Sequence, residues 1–115
     1  MSEFRLKRVE NLLREQIGGL ILKGEIKDPR VDTLISVTHV KVSKDVGYAD
    51  VYVSSIQTDK KVERAVEALN HAAGFIQYKM HDKLHLRNTP ILRFKKDDGI
   101  AEGFRMTQKL KELSP

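Results

Sequence analysis

Val62, Val66, Leu69, Ala73, Ile76, Met80 and Leu84 recur at steps of three and four, which lays a single apolar stripe along a helical pattern. Ala72-Ala73-Gly74 interrupts it. Glycine costs about 1 kcal/mol relative to alanine inside a helix, and its missing side chain permits both a bend and close backbone approach by another element or a ligand. The stretch therefore reads as helix, kink, helix. After Leu86 the pattern changes to a short strand, Pro90–Phe94, with Pro90 at the first residue, where a strand tolerates it. The same segment carries the charge. From Lys79 to Lys96, the basic residues Lys79, Lys83, Arg87, Arg93, Lys95 and Lys96 face only Asp82, an excess of +5 that equals the excess of the whole chain.

A chain of 115 residues holds one core, because a second would lack material. With no cysteine, disulfides, thiolate nucleophiles and Cys-ligated metal sites are excluded. No apolar run approaches the ~18 residues of a membrane span, and Ser2–Arg14 is too charged for a secretory signal, so a soluble, cytoplasmic protein is expected. A pI near 9.5 points to an anionic partner.

Upstream, Ser2 is placed to cap a first helix whose buried stripe is Leu6, Val9, Leu13, Ile17, Leu20 and Ile21, with Lys23-Gly24 as its stop. Gly18-Gly19 falls inside this pattern and is read as a point of close packing by another element. Lys27-Asp28-Pro29-Arg30 is turn chemistry. Leu34–Ser43 and Tyr48–Ile56 form a hairpin through Lys44–Gly47, the first strand changing phase between Val37 and Val40 as a bulge requires. In the second strand Ala49, Val51 and Val53 face the core. Thr58 or Asp59 caps the kinked helix. A strand, a helical crossover and a strand give a right-handed parallel pair, so Tyr48–Ile56 is central. The fold class is α+β: a three-stranded mixed sheet covered by helices on one face, in the order helix, strand, strand, kinked helix, strand. Residues 1–97 form the domain, and 98–115 a partly ordered tail with a short helix.

Catalytic chemistry has little footing. His81 and His85 stand at i and i+4, the spacing with which one helix face grips zinc, but neither the adjacent Glu of a metalloprotease nor a third ligand accompanies them. Asp97-Asp98 reads as a solvated pair, and no Gly-x-Ser-x-Gly elbow or phosphate-binding glycine loop occurs. No catalytic residue, metal or cofactor is assigned. The basic cluster is the stronger signal. Lys79 and Lys83 share a helix face that Arg87 prolongs, and the following strand adds Arg93 and Lys95. Few exposed aromatics are expected, so phosphate and 2′-OH contacts should outweigh base stacking.

The chain resembles the ribosome-binding factor A family. The likeness is carried by Ile26-Lys27-Asp28-Pro29-Arg30, by Val37–Asp45 running into Tyr48–Ser54, by Leu69-Asn70-His71-Ala72-Ala73-Gly74-Phe75-Ile76, and by Leu84-His85-Leu86-Arg87 before Pro90–Phe94. The resemblance implies a type II KH-like fold in which Ala72-Ala73-Gly74 replaces the Gly-x-x-Gly loop. It also implies a non-catalytic protein, monomeric when free and away from membranes. Such a protein binds the immature small (30S) ribosomal subunit and its 16S rRNA, assists rRNA 5′-end processing and late maturation, and supports growth in the cold. The expected RNA-binding residues are Arg5, Arg8, Ala72, Ala73, Gly74, Lys79, Lys83, Arg87, Arg93 and Lys95. Gln77 and Gly99 depart from the family pattern, and weaker rRNA contact is expected at Gln77. Two readings from other classes stand beside this one: a small metal-dependent hydrolase built on His81, His85 and Asp98, and a protein–protein adaptor presenting the sheet.

Overall fold

In a computed structural model, which describes residues 3–85 and 88–98, six elements follow one another. They are α1 (Glu3–Leu22), β1 (Ser36–Val42), β2 (Tyr48–Ser54), α2 (Asp59–His71), α3 (Ala73–Leu84) and β3 (Ile91–Lys96). The sheet order is β1-β2-β3, with β2 antiparallel to β1 and parallel to β3. This is the mixed sheet and the type II KH-like order expected from the sequence. The strands are displaced from their expected limits: β1 and β2 are shorter, while β3 starts after Pro90 and continues to Lys96.

The period-two alternation of β2 decides which way the sheet faces. Ala49, Val51 and Val53 are fully buried, and Leu92 and Phe94 of β3 lie beside them in register. All three helices pack on this face of the sheet. Val9, Leu13, Ile17, Leu20 and Ile21 of α1, Val62, Ala65, Ala68 and Leu69 of α2, and Ile76 and Met80 of α3 complete one core. The expected bulge sits in β1, where the register shifts between Val37 and His39. Thr38, the extra residue, turns its hydroxyl to the Tyr52 carbonyl and to the Asp97 carboxylate.

Helix α1 ends as expected at Gly24, whose φ of +68° glycine adopts without steric penalty. The Gly24 N–H donates to the Ile21 carbonyl and the Glu25 N–H to that of Leu20, which satisfies the orphan carbonyls of the last turn. The close packing expected at Gly18-Gly19 is not found. Among the described residues, a Cβ added at either would meet nothing within 4 Å, so both are glycines in an ordinary half-exposed helix, their cost carried by the buried stripe on either side.

Side chains from the helices reach both outer edges of the sheet. On β1, the Val42 N–H donates to Glu10 Oε2 of α1 at 2.9 Å. On β3, the Leu92 N–H donates to Gln77 Oε1 at 3.1 Å, and Asn70 takes Phe94 from both sides. The Phe94 N–H donates to Asn70 Oδ1 at 2.8 Å, and Asn70 Nδ2 donates to the Phe94 carbonyl at 3.1 Å. Two amide side chains, one on each limb of the kinked helix, thus replace a fourth strand.

Candidate nucleic-acid interface

The break in the long helix lies at Ala72. There φ and ψ are −88° and 3°, in the bridge region between helix and strand. The Ala72 N–H still donates to the Ala68 carbonyl, and the Ile76 N–H donates to that of Ala72, so the chain turns without losing either bond. Gly74 is not the hinge: it is already helical, its φ is not positive, and an added Cβ would meet nothing within 4 Å. The expected approach of a neighbouring helix to Gly74 is therefore absent among the described residues, and its open side faces solvent.

Beyond the break, Ile76 and Met80 hold α3 to the core while Phe75, Tyr78, His81, Asp82 and Lys83 are exposed. Lys79 Nζ lies 5.6 Å from the centre of the Phe75 ring, within the range of a cation–π contact. Lys79 and Lys83 are one turn apart, and neither has an acidic partner among the described residues. His81 Nδ1 lies 3.1 Å from Thr89 Oγ1, and His85 terminates the helix in the left-handed region at φ 49°. His81, His85 and Asp98 do not form a metal-holding group, and no group of three or more such ligands occurs among the described residues.

The basic run of the sequence is divided by the fold. Arg93 and Lys95 lie on the face of the sheet opposite the helices, so they do not extend the line of Lys79 and Lys83. Register brings both to Asp50. Arg93 Nε is 2.9 Å from Oδ1, Lys95 Nζ is 3.3 Å from Oδ2, and the Arg93 guanidinium also lies 4.7 Å from the centre of the Tyr48 ring. Lys96 is ringed by Asp59, Glu63 and Asp98 at 3.4–3.9 Å. Desolvation opposes its charge, but the hydrogen bond to Asp98 and the charge of Asp59 outweigh it and raise its pKa above the usual lysine value. Of the cations counted between Lys79 and Lys96, Arg93, Lys95 and Lys96 therefore have acidic partners. Arg5 and Arg8 are exposed on α1, and Arg87 lies outside the described residues, as do the tail from residue 99 and the departure at Gly99.

One expectation gains a physical cause here and one is corrected. Gln77, where weaker rRNA contact is expected, is half-buried against β3, and its Oε1 accepts from the Leu92 N–H. Exposed aromatics are present: Phe75 and Tyr78 on α3, Tyr48 on the open sheet face, and Phe4 on α1. On α3 the helix period accounts for this exposure. With Ile76 and Met80 in the core, Tyr78 falls about 200° round the helix from Ile76.

The turn Asp28-Pro29-Arg30 flanks the break. Arg30 binds Asp28 through its N–H, Nε and second guanidinium nitrogen at 2.8–3.1 Å. Those hydrogen bonds hold the Asp28 carboxyl at a pKa of about 2. A hollow of about 320 Å³ lies between this turn and the helices, lined in part by Lys27, Asp28, His71, Ala72 and Phe75.

The family profile described as Ribosome-binding factor A matches residues 5–110. Ribosome-binding factor A of Treponema denticola is 48% identical over 113 residues, spanning 98% of this chain and 86% of the relative. The crystal structure of ribosome-binding factor A from Thermus thermophilus superposes with a TM-score of 0.67 at 26% identity, over 79% of this chain and 94% of that one. The Thermus thermophilus coordinates fitted into a cryo-EM map of a 30S–ribosome-binding factor A complex give a TM-score of 0.55 at 27% identity, over 73% and 90%. With the family profile matched over residues 5–110 and a relative 48% identical over 98% of its length, the chain belongs to the ribosome-binding factor A family.

Proposed function

We propose that this chain is a non-catalytic assembly factor that binds the immature 30S ribosomal subunit through its 16S rRNA. It assists rRNA 5′-end processing and late subunit maturation, and it supports growth in the cold. The observation that carries the reading is the likeness, over most of both chains, to coordinates fitted into a 30S complex. Among the described residues no helix is long and apolar enough to cross a membrane. In this reading the protein works in the cytoplasm as a monomer, with residues 1–97 as the RNA-binding unit and 98–115 as its tail.

Arg5, Arg8, Lys79, Lys83, Arg87, Arg93 and Lys95 neutralise phosphates, and Ala72, Ala73 and Gly74 keep the backbone accessible beside them. Lys79 and Lys83 contribute most, since Arg93 and Lys95 are shared with Asp50. Selectivity comes from rRNA shape. The test is affinity for immature and mature subunits across a salt series. Immature subunits should bind more tightly, and Lys83→Ala should flatten the slope of log affinity against log salt by about 0.7–0.9. A salt-independent affinity would remove the phosphate mechanism, and equal affinity for the two forms would remove the assembly role.

A further inference from the structure

Resting on that reading, we propose that α3 is a stacking platform for unpaired nucleotides. Tyr78 and Phe75 receive bases, and Lys79 and Lys83 hold the adjoining phosphates. Tyr78 is 70% exposed and Phe75 44%, on a helix whose core contacts are made by Ile76 and Met80. Tyr78, a large ring left mostly in water, contributes little to folding and has no ring or hydrogen-bond partner among the described residues, while Phe75 shows less than half of its surface. Helical side chains lean toward the preceding turn, so Tyr78 leans toward Gly74, which adds no side chain and has open space above it. Beside Phe75 the 320 Å³ hollow, bordered by His71 and Ala72, is large enough for a nucleobase.

The chemistry selects an unpaired nucleic-acid strand as occupant. A lysine already positioned over Phe75, and a second one turn on without an acidic partner among the described residues, suit an anion that carries flat rings. Asp82, the one acid on α3, is exposed one turn beyond Tyr78, so the phosphates lie along the adjoining row of Lys79 and Lys83 and away from it. A paired rRNA helix cannot present base faces to a protruding ring, whereas loops, bulges and ends can. The open sheet face is a weaker stacking surface, because the cation beside the Tyr48 ring, Arg93, is already paired with Asp50 and Tyr52 lies against His39 at 5.7 Å.

Full-length protein is titrated into a fluorescently labelled RNA of about 12 nucleotides, of mixed, non-self-pairing sequence, and into the same RNA annealed to its complement. The single strand should bind more tightly despite its lower charge density. Tyr78→Leu and Phe75→Leu should each weaken it roughly 5- to 150-fold, in line with the loss of one stacked base, without changing the salt slope. Tyr78→Phe should retain most of the affinity, and duplex binding should change by less than about twofold. Equal binding of both RNAs, or an unaltered single-strand affinity in Tyr78→Leu, would overturn the proposal. Variants that keep RNA affinity but lose affinity for purified immature subunits would overturn it in favour of a protein partner. Wild-type protein that fails to bind subunits at all would overturn the assembly-factor reading instead.

Discussion

Helices α2 and α3 follow one another along the chain with a single residue between them, yet they use their sequences differently. Helix α2 begins on Thr58, whose hydroxyl accepts from the Lys61 N–H, carries Asp59 in its first turn, and buries Val62, Ala65, Ala68 and Leu69. Helix α3 has neither a side-chain cap nor an acid in its first turn, and it ends on a histidine in a conformation that favours glycine. It buries only Ile76 and Met80 and exposes two rings. The first helix is anchored at its start and along its length. The second is held by a few residues and by its neighbour, and its outward side is free to serve another purpose.

Substitution should separate the two. Leu69→Ala in α2 removes a fully buried side chain and should lower stability by about 2–5 kcal/mol in chemical denaturation. Tyr78→Ala in α3 should stay within about 0.5 kcal/mol of wild type, and a loss comparable to that of Leu69→Ala would erase the contrast. Asn70→Ala, at the end of α2, leaves Phe94 without its outer partners and should cost about 1–3 kcal/mol, with faster amide exchange confined to β3. Gly74→Ala should stabilise by about 0.4–1 kcal/mol, because its backbone is helical and its surroundings are open. A loss of stability there would mean that α3 begins under strain.

The smallest effect concerns the turn beside the break. The Asp28 carboxyl titrates at about 2 when folded, below its ordinary value of 3.8. Its contribution is therefore complete above about pH 4 and fades as the pH falls toward about 2. Asp28→Asn should reduce the pH dependence of stability in that window and leave it unchanged above about pH 5. Because the pair is solvent-exposed, the change should be slight.

What the sequence disclosed and what it hid follow from the range of each interaction. Repeating apolar positions report on a single element, so the stripe of α1, the alternation of β2 and the kinked helix could be read directly. Asn70, Gln77 and Glu10 could not, because a polar residue beside an apolar stripe looks like surface until a strand edge distant in sequence is placed against it. The same holds for charge. Arg93 meets Asp50 only once β2 and β3 are in parallel register, so the basic run looked like one patch and became two faces. Phe75 and Tyr78 were hidden for a simpler reason: they follow the helix period, but away from the stripe.

The side chains that close the β3 edge also bear on the order in which the molecule can be completed during synthesis. The β1–β2 hairpin ends at Ser54, and β3 begins only at Ile91. At roughly 5–20 residues per second, the inner edge of β2 waits about 2–7 s for its parallel neighbour. When β3 arrives, it needs α2 and α3 already in place, since Asn70 and Gln77 supply its outer hydrogen bonds. The last strand thus closes two gaps at once, and the interval before it arrives is the period in which the nascent chain is most open to wrong partners.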